Sequence, residues 1–345
     1  MVIRVTNNLA EHGVDAHLIM LTNDGVLSDA ISDAVTTHNL NVKRARNAPL
    51  AIWKAVRPLR PDVVFSSHAR LNFMNVGLRP VLPGSPRAVI REAANPIADM
   101  AIQKTEKVYG PLYKTLYPRA DALICQSQQM VADFNTLMGK QLDNIVQIYN
   151  PARPDLIAMR RSDVPSPFSR PASFKLLTCG SLTERKGYDI LLKGLPPLLE
   201  AGIDFQLTLL GDGPERGNLE SLRDTLGLSE RVHFNGQTLD NAPWYLHADV
   251  FLQPSRIEGL PNTVIESLVC GTPVVASDCP GGTRELLNNG ENGQLFTTEN
   301  IAALTTALQT VLNTLADYPE DTVRASVEHL HPDTVFAQLR KTILG

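Results

Sequence analysis

Two carboxylates, Glu258 and Glu266, flank the turn Gly259-Leu260-Pro261-Asn262 with seven residues between them. The turn follows an apolar run, VFLQPS (250–255), and a helix is expected to open near Asn262 and stop at Gly271. Proline suits a first helical turn and glycine a C-terminal stop. The start of a helix presents unpaired N–H groups and the positive end of the dipole, a seat for phosphate. With an acid on either side, one carboxylate could accept hydroxyls from a sugar and the other hydroxyls from a ribose, as a nucleoside diphosphate-sugar requires. The same stretch also fits a capped helix whose acids are simply solvated.

Four further turns carry similar chemistry. GSLTERKGYD places Ser181, Arg185 and Lys186 just after an apolar run, and a lysine point charge beside an arginine fork neutralises phosphate oxygens. LLGDGPER runs an apolar segment into Gly211 and Gly213, VHFNG ends on Gly236, and CPGGTRELL opens a short helix after two glycines. Each turn alone is common. Together, at the ends of consecutive strands, they read as one anion-binding edge.

Those strands are FKLLTCGS (174–181), FQLTLLGDG (205–213), RVHFNG (231–236), VFLQPS (250–255) and TPVVASD (272–278). An earlier set comprises HLIMLT (17–22), DVVFSS (62–67), RAVIRE (87–92), ALICQS (122–127) and NIVQIYN (144–150). Helical patterns separate them, so the fold class is α/β with two facing Rossmann-like doubly wound domains and ligands at the carboxyl ends of the strands. The expected division is a first domain over 1–152, a proline-rich linker over 153–172, a second, nucleotide-sugar-binding domain over 173–330 and a terminal helix over 331–345.

The composition is that of a soluble globular protein long enough for two cores. No apolar run approaches about 18 residues, and the N-terminus does not read as a secretory signal. The four cysteines (Cys125, Cys179, Cys270, Cys279) form no CxxC pair and read as reduced core thiols of a cytosolic protein. The net charge of −4 conceals an asymmetry. Residues 43–119 hold 14 basic and 4 acidic side chains, whereas residues 171–345 hold 12 and 22. The basic half is expected to meet something anionic, a membrane surface or a phosphate-bearing acceptor. Nucleic acid fits less well, because the basic residues are not interleaved with stacking aromatics. ADMAIQKTEKVYGPLYKTLYPRA combines Lys104, Lys107 and Lys114 with aliphatic and aromatic anchors; it could lie on an anionic membrane or pack into the core. Gly110-Pro111 is expected to break its helix.

In order, GSLTERKGYD, LLGDGPER, VHFNG, SRIEGLPNTVIESLVCGTPVVASDCPGG and TREL resemble the retaining glycosyltransferases of family four, which have the two-domain GT-B fold. PDVVFSSH, RADALICQSQ and IYNP extend the resemblance more loosely into the first half. The resemblance implies that Glu258 contacts the donor sugar near its C3 hydroxyl and the reaction centre, that Glu266 holds the ribose, and that Lys186, with Arg185, meets the diphosphate. It implies that the amides of Gly259, Leu260 and Pro261 face the donor phosphate and sugar. No metal and no cofactor beyond a UDP- or GDP-sugar donor would be required, and retention would come from front-face attack. Ser181 departs from the family, standing where an arginine is usual.

The family also begins with an apolar strand and a glycine-rich turn, whereas here Met1, Val2, Val5 and Leu9 already read as the helix that follows. The natural polypeptide is therefore expected to start roughly 15–25 residues upstream, enough for a strand and a turn, or else to be a remnant of reduced activity. Without that strand the first sheet should be split.

On the acceptor side, His68, Arg91, Glu92 and Asn95 stand at the carboxyl ends of DVVFSS and RAVIRE. The expected function is transfer of a hexose or N-acetylhexosamine to a surface glycan or polyprenyl-linked acceptor, in the cytoplasm and peripheral on the inner membrane face. A non-catalytic sugar-nucleotide-binding protein and a sugar-nucleotide epimerase are the alternatives; the Glu-seven-Glu segment with its flanks disfavours the epimerase.

Overall fold

The computed structural model describes residues 1–22, 28–42, 47–287 and 290–345. Lys43, Arg44 and Arg46 of the basic stretch lie outside the described residues. The chain forms two units. The first comprises Met1–Asn150 and Asp333–Gly345, the second Pro151–Pro332. The fold is mixed α/β with two Rossmann-like domains.

In the second unit six strands lie in one parallel sheet: β7 (Phe174–Cys179), β8 (Phe205–Leu210), β9 (Val232–Gly236), β10 (Val250–Gln253), β11 (Val274–Ser277) and β12 (Gly293–Phe296). Their order is β12-β11-β10-β7-β8-β9. The order reverses between β7 and β10, and an open parallel sheet leaves a crevice at the carboxyl ends of its strands at such a point. Every residue of β8, β10 and β11 is buried, as expected of strands covered on both faces.

The first unit contains β1 (His17–Met20), β2 (Thr36–Asn39), β3 (Val63–Ser67), β4 (Arg87–Arg91), β5 (Ala122–Cys125) and β6 (Ile145–Gln147). These parallel strands form two ladders. β1 pairs with β2, while β3-β4-β5-β6 make a separate sheet. The first helix, Val2–Glu11, lays Val5 and Leu9 on Val89, Ala122, Ile124 and Ile148. The terminal helix, Pro332–Leu344, adds Val335, Phe336, Leu339 and Ile343 to the same cluster. The C-terminal segment thus completes the first unit's core rather than standing apart.

Two expectations need correction. The stretch 153–172 is not a structureless linker: it contains the helix Pro154–Ala158, with Leu156 fully buried, and belongs to the second unit. Pro154 opens that helix. Gly110 and Pro111 do not interrupt a helix either, since both lie inside Glu106–Leu116. The break falls earlier, at Lys104, whose φ of 55° ends the helix Pro96–Gln103 in the left-handed region.

Because Leu339 is 1 % exposed within the shared cluster, Leu339→Ala is expected to cost the first unit about 2–5 kcal/mol. Urea unfolding followed by near-ultraviolet dichroism would measure it; a loss below about 0.5 kcal/mol would place the helix outside that core.

Candidate functional site

At the crevice of the second unit, the turns after β7 and β10 meet. Glu258 is 5 % exposed. Its Oε1 accepts from Lys186 Nζ at 2.6 Å, Ser255 Oγ at 2.7 Å and Gln253 Nε2 at 3.2 Å. Its Oε2 faces Arg185 at 3.3 Å. Burial works against the ionised acid, but Lys186 and Arg185 outweigh it and hold the carboxyl below its ordinary range.

The two turns are stitched through their backbones. Arg185 donates to the Ile257 carbonyl at 3.0 Å, and the Arg256 N–H donates to the Arg185 carbonyl at 2.8 Å. The Arg256 side chain reaches Asp189 at 2.9 and 3.0 Å and Glu299 at 2.9 Å. Gly187 has a φ of 66°, and a Cβ there would lie 2.1 Å from the Pro254 carbonyl oxygen. Only glycine lets the strands' ends approach this closely.

The neighbouring turns close on the same edge. Leu182 N–H donates to the Asp212 carbonyl at 3.0 Å, which sets Ser181 beside Gly211 and Gly213. The Gly211 N–H donates to the Gly236 carbonyl at 2.7 Å. On the other side Glu258 N–H donates to Pro280 at 3.0 Å and Gly282 N–H to Gly259 at 2.6 Å. Ser181 and Asn262 are exposed, whereas Gly259, Leu260 and Pro261 are buried. The helix Asn262–Val269 opens at this edge with Pro261 as its cap. Glu266, in its second turn, lies 4.0 Å from Arg153, which also donates to Asn241 at 2.6 Å and to Asp155 at 2.5 Å. The structure therefore gathers Ser181, Arg185, Lys186, Gly211, Gly213, Gly236 and Glu258–Asn262 along one sheet edge. Sequence reasoning missed Arg153, Arg256, Asp189, Gln253 and Ser255. For the last two there was a signal, polar residues alternating at the end of an otherwise apolar run; the long-range ion pairs had none.

In the first unit the four acceptor-side candidates separate. His68 is exposed at the end of β3 with a φ of 94°, and its N–H donates to the Arg91 carbonyl at 3.3 Å. Such backbone costs about 1–3 kcal/mol and is kept where the surroundings enforce it. Arg91, Glu92 and Asn95 are buried and committed to internal partners, so they build the strand ends rather than presenting free groups. Arg91 donates to Ser67 at 3.1 Å and Asn150 at 2.6 Å, and burial lowers its pKa to about 10. Asn95 caps the helix Pro96–Gln103 by accepting from Ala98 N–H at 3.0 Å, and donates to Asp133. Glu92 accepts from Tyr117, and Gln126 joins the Glu92 carbonyl to Asn150. Burial raises the Glu92 carboxyl to about 7, with Asp99 adding to the shift and the bond from Tyr117 opposing it.

Residues 173–314 match the model described as glycosyl transferases group 1, and residues 1–156 match glycosyltransferase family 4. An uncharacterized glycosyltransferase of Methanocaldococcus jannaschii is 28% identical over 68% of this chain and 60% of its own length. The lipopolysaccharide core biosynthesis glycosyltransferase LpsE of Rhizobium meliloti is 28% identical over 84% of this chain and 78% of its own. The chain thus spans about three fifths of the first relative and more of the second. HepE of Anabaena, solved with UDP and glucose, superimposes with a TM-score of 0.79 at 18% identity, covering 100% of this chain and 95% of that one. At that identity the likeness speaks to fold.

Fold and matches together define a glycosyltransferase of the GT-B class. The chain is of the glycosyltransferase family 4 type, the family 4 model matching residues 1–156 and the group 1 model residues 173–314.

The buried Glu92 has a consequence for stability. A carboxyl raised from 4.5 to about 7 favours the native state below the unfolded value, and that contribution is lost as pH rises through about 7. Glu92→Gln is expected to remove a fall of about 3 kcal/mol between pH 4.5 and 8. Urea midpoints across that range test it; an unchanged slope in the variant would assign the titration elsewhere.

Proposed function

We propose that this glycosyltransferase moves a hexose or N-acetylhexosamine from a UDP- or GDP-sugar to a glycan or lipid-linked acceptor, with retention of configuration and without a metal ion. One observation carries the reading: a buried glutamate paired to a lysine and an arginine at the switch point of the parallel sheet. In this reading the diphosphate takes up Lys186 and Arg185 at the edge where Gly259–Asn262 open a helix. Glu258 then accepts from sugar hydroxyls, and Glu266, beside Arg153, meets the ribose.

Transfer breaks the bond between the anomeric carbon and the β-phosphate oxygen and forms one to the acceptor hydroxyl on the same face. The departing diphosphate receives the acceptor's proton. Lys186 and Arg185 stabilise the charge that develops on it, the largest single effect such a site can supply. That UDP occupies the structural neighbour HepE, and that LpsE works in lipopolysaccharide core biosynthesis, supports this donor and acceptor class.

A panel of UDP- and GDP-sugars scored for release of the nucleoside diphosphate tests the reading. Lys186→Ala and Glu258→Ala are each expected to lower turnover by about two to three orders of magnitude, the scale of one lost transition-state contact. Near-native rates in both would mean that the site is misplaced. Nucleotide binding without transfer to any acceptor would favour the non-catalytic alternative. Chelation by EDTA is expected to leave turnover unchanged, and a loss restored by a divalent cation would overturn the metal-free reading.

A further inference from the structure

We propose that Arg256 is a positioning residue for sugar transfer: it does not touch the donor but sets where Lys186 and Arg185 stand. The inference rests on the reading that those two cations meet the diphosphate. Both sit on Glu184–Lys186, a single 3-10 turn after β7. Two backbone bonds close the turn, from Lys186 N–H to the Thr183 carbonyl at 3.0 Å and from Gly187 N–H to the Glu184 carbonyl at 3.1 Å. Hydrogen bonds of this type have poor geometry and give a short turn little stiffness. A charge-stabilising site, however, must be held to within about 0.5 Å. The stiffness has to come from outside the turn.

Arg256 supplies it from the segment after β10. Its N–H donates to the Arg185 carbonyl at 2.8 Å, and its Nη1 donates to the Glu184 carbonyl at 2.5 Å. One residue thus holds two consecutive carbonyls of the turn. The guanidinium is itself anchored on both sides. Asp189, in the first turn of the helix Tyr188–Gly194, accepts from Nη1 at 2.9 Å and Nη2 at 3.0 Å, a bidentate fork. Glu299, between β12 and the helix Ile301–Asn313, accepts from Nε at 2.9 Å. Glu299 has a φ of 62°, a backbone that non-glycine residues keep only where their surroundings enforce it.

Charge decides between a positioning role and a contact with phosphate. Four of the five side-chain N–H groups of Arg256 are taken by Glu184, Asp189 and Glu299. Its charge, with that of Lys193 at 3.6 Å from Asp189, is balanced by the two carboxylates. Lys186 and Arg185 instead share one acid, Glu258, which leaves them a positive charge to offer. A lysine at 256 would keep the charge but lose the fork, so it could not hold Glu184, Asp189 and Glu299 together.

A double-mutant cycle on the full chain, read by calorimetric titration with UDP and GDP, tests the proposal. Arg256→Lys is expected to weaken the nucleoside diphosphate about tenfold, the scale of one charged hydrogen bond. In a chain that already carries Arg185→Ala and Lys186→Ala the same change is expected to cost less than about twofold, because no cations remain to be placed. General loosening of the fold would give the same factor in both backgrounds. Glu299→Gln, at an exposed carboxylate that folding does not need, is expected to weaken binding about threefold in the wild-type background alone. It decides the matter if Arg256→Lys does not fold. Equal losses in the two backgrounds, or native affinity in both Arg256→Lys and Glu299→Gln, would overturn the proposal. Native affinity in the Arg185→Ala/Lys186→Ala chain would remove the diphosphate reading itself, and the inference with it, so the two failures are told apart.

Discussion

Glu258 is a buried negative charge, and the organisation of the second unit follows from keeping it tolerable. Taking a lone carboxylate out of water costs several kcal/mol even after relaxation. Lys186 and Arg185 offset that cost, but only if the segment after β7 lies directly against the segment after β10. The strand order makes those two neighbours, and Gly187 removes the side chain that would hold their backbones apart. Arg256, clasped by Asp189 and Glu299, then fixes the approach from the solvent side. Strand order, glycine placement and a second ion cluster thus converge on one carboxylate.

Much of this was legible before the structure. The ten apolar runs all became strands, and β5, β8, β10 and β11, buried along their whole length, are the ones that must be apolar on both faces. β2 and β12 were missed for the complementary reason. β2 reads Thr-Thr-His-Asn and is largely exposed, while β12 opens on a glycine and has four residues. Both are edge strands, and an edge strand needs little burial to form. At the site, clusters local in sequence could be read directly: glycine turns, the Arg185-Lys186 pair, the two acids. Arg153 to Glu266 and Arg256 to Asp189 join residues far apart along the chain, and nothing in either segment names its partner.

The first unit teaches a different lesson about strand ends. Polar residues at the carboxyl ends of parallel strands look alike in sequence whether they face a ligand or each other. Arg91, Glu92, Gln126 and Asn150 face each other, a chain of bonds running across β4, β5 and β6. Asn72 extends it by donating to the Arg91 carbonyl and the Tyr117 hydroxyl, and Ser66 on β3 donates to Asn72. Such a network is worth having only when nearly complete, since a half-satisfied one costs more than an apolar core. His68 stands outside it on the exposed side, tethered through its backbone to Arg91 and Asn72.

The pairing of Glu258 with Lys186 also bears on how a reaction cycle would close. A cation pair left naked by a departing diphosphate would hold on to it, and tight product retention slows many enzymes. Here the protein carries its own competitor for those cations, covalently attached and already desolvated. With the proposed donor geometry, each exit of spent nucleotide would be met by the glutamate swinging back into its salt bridges, so the acid that greets the sugar would also serve to evict what the sugar leaves behind.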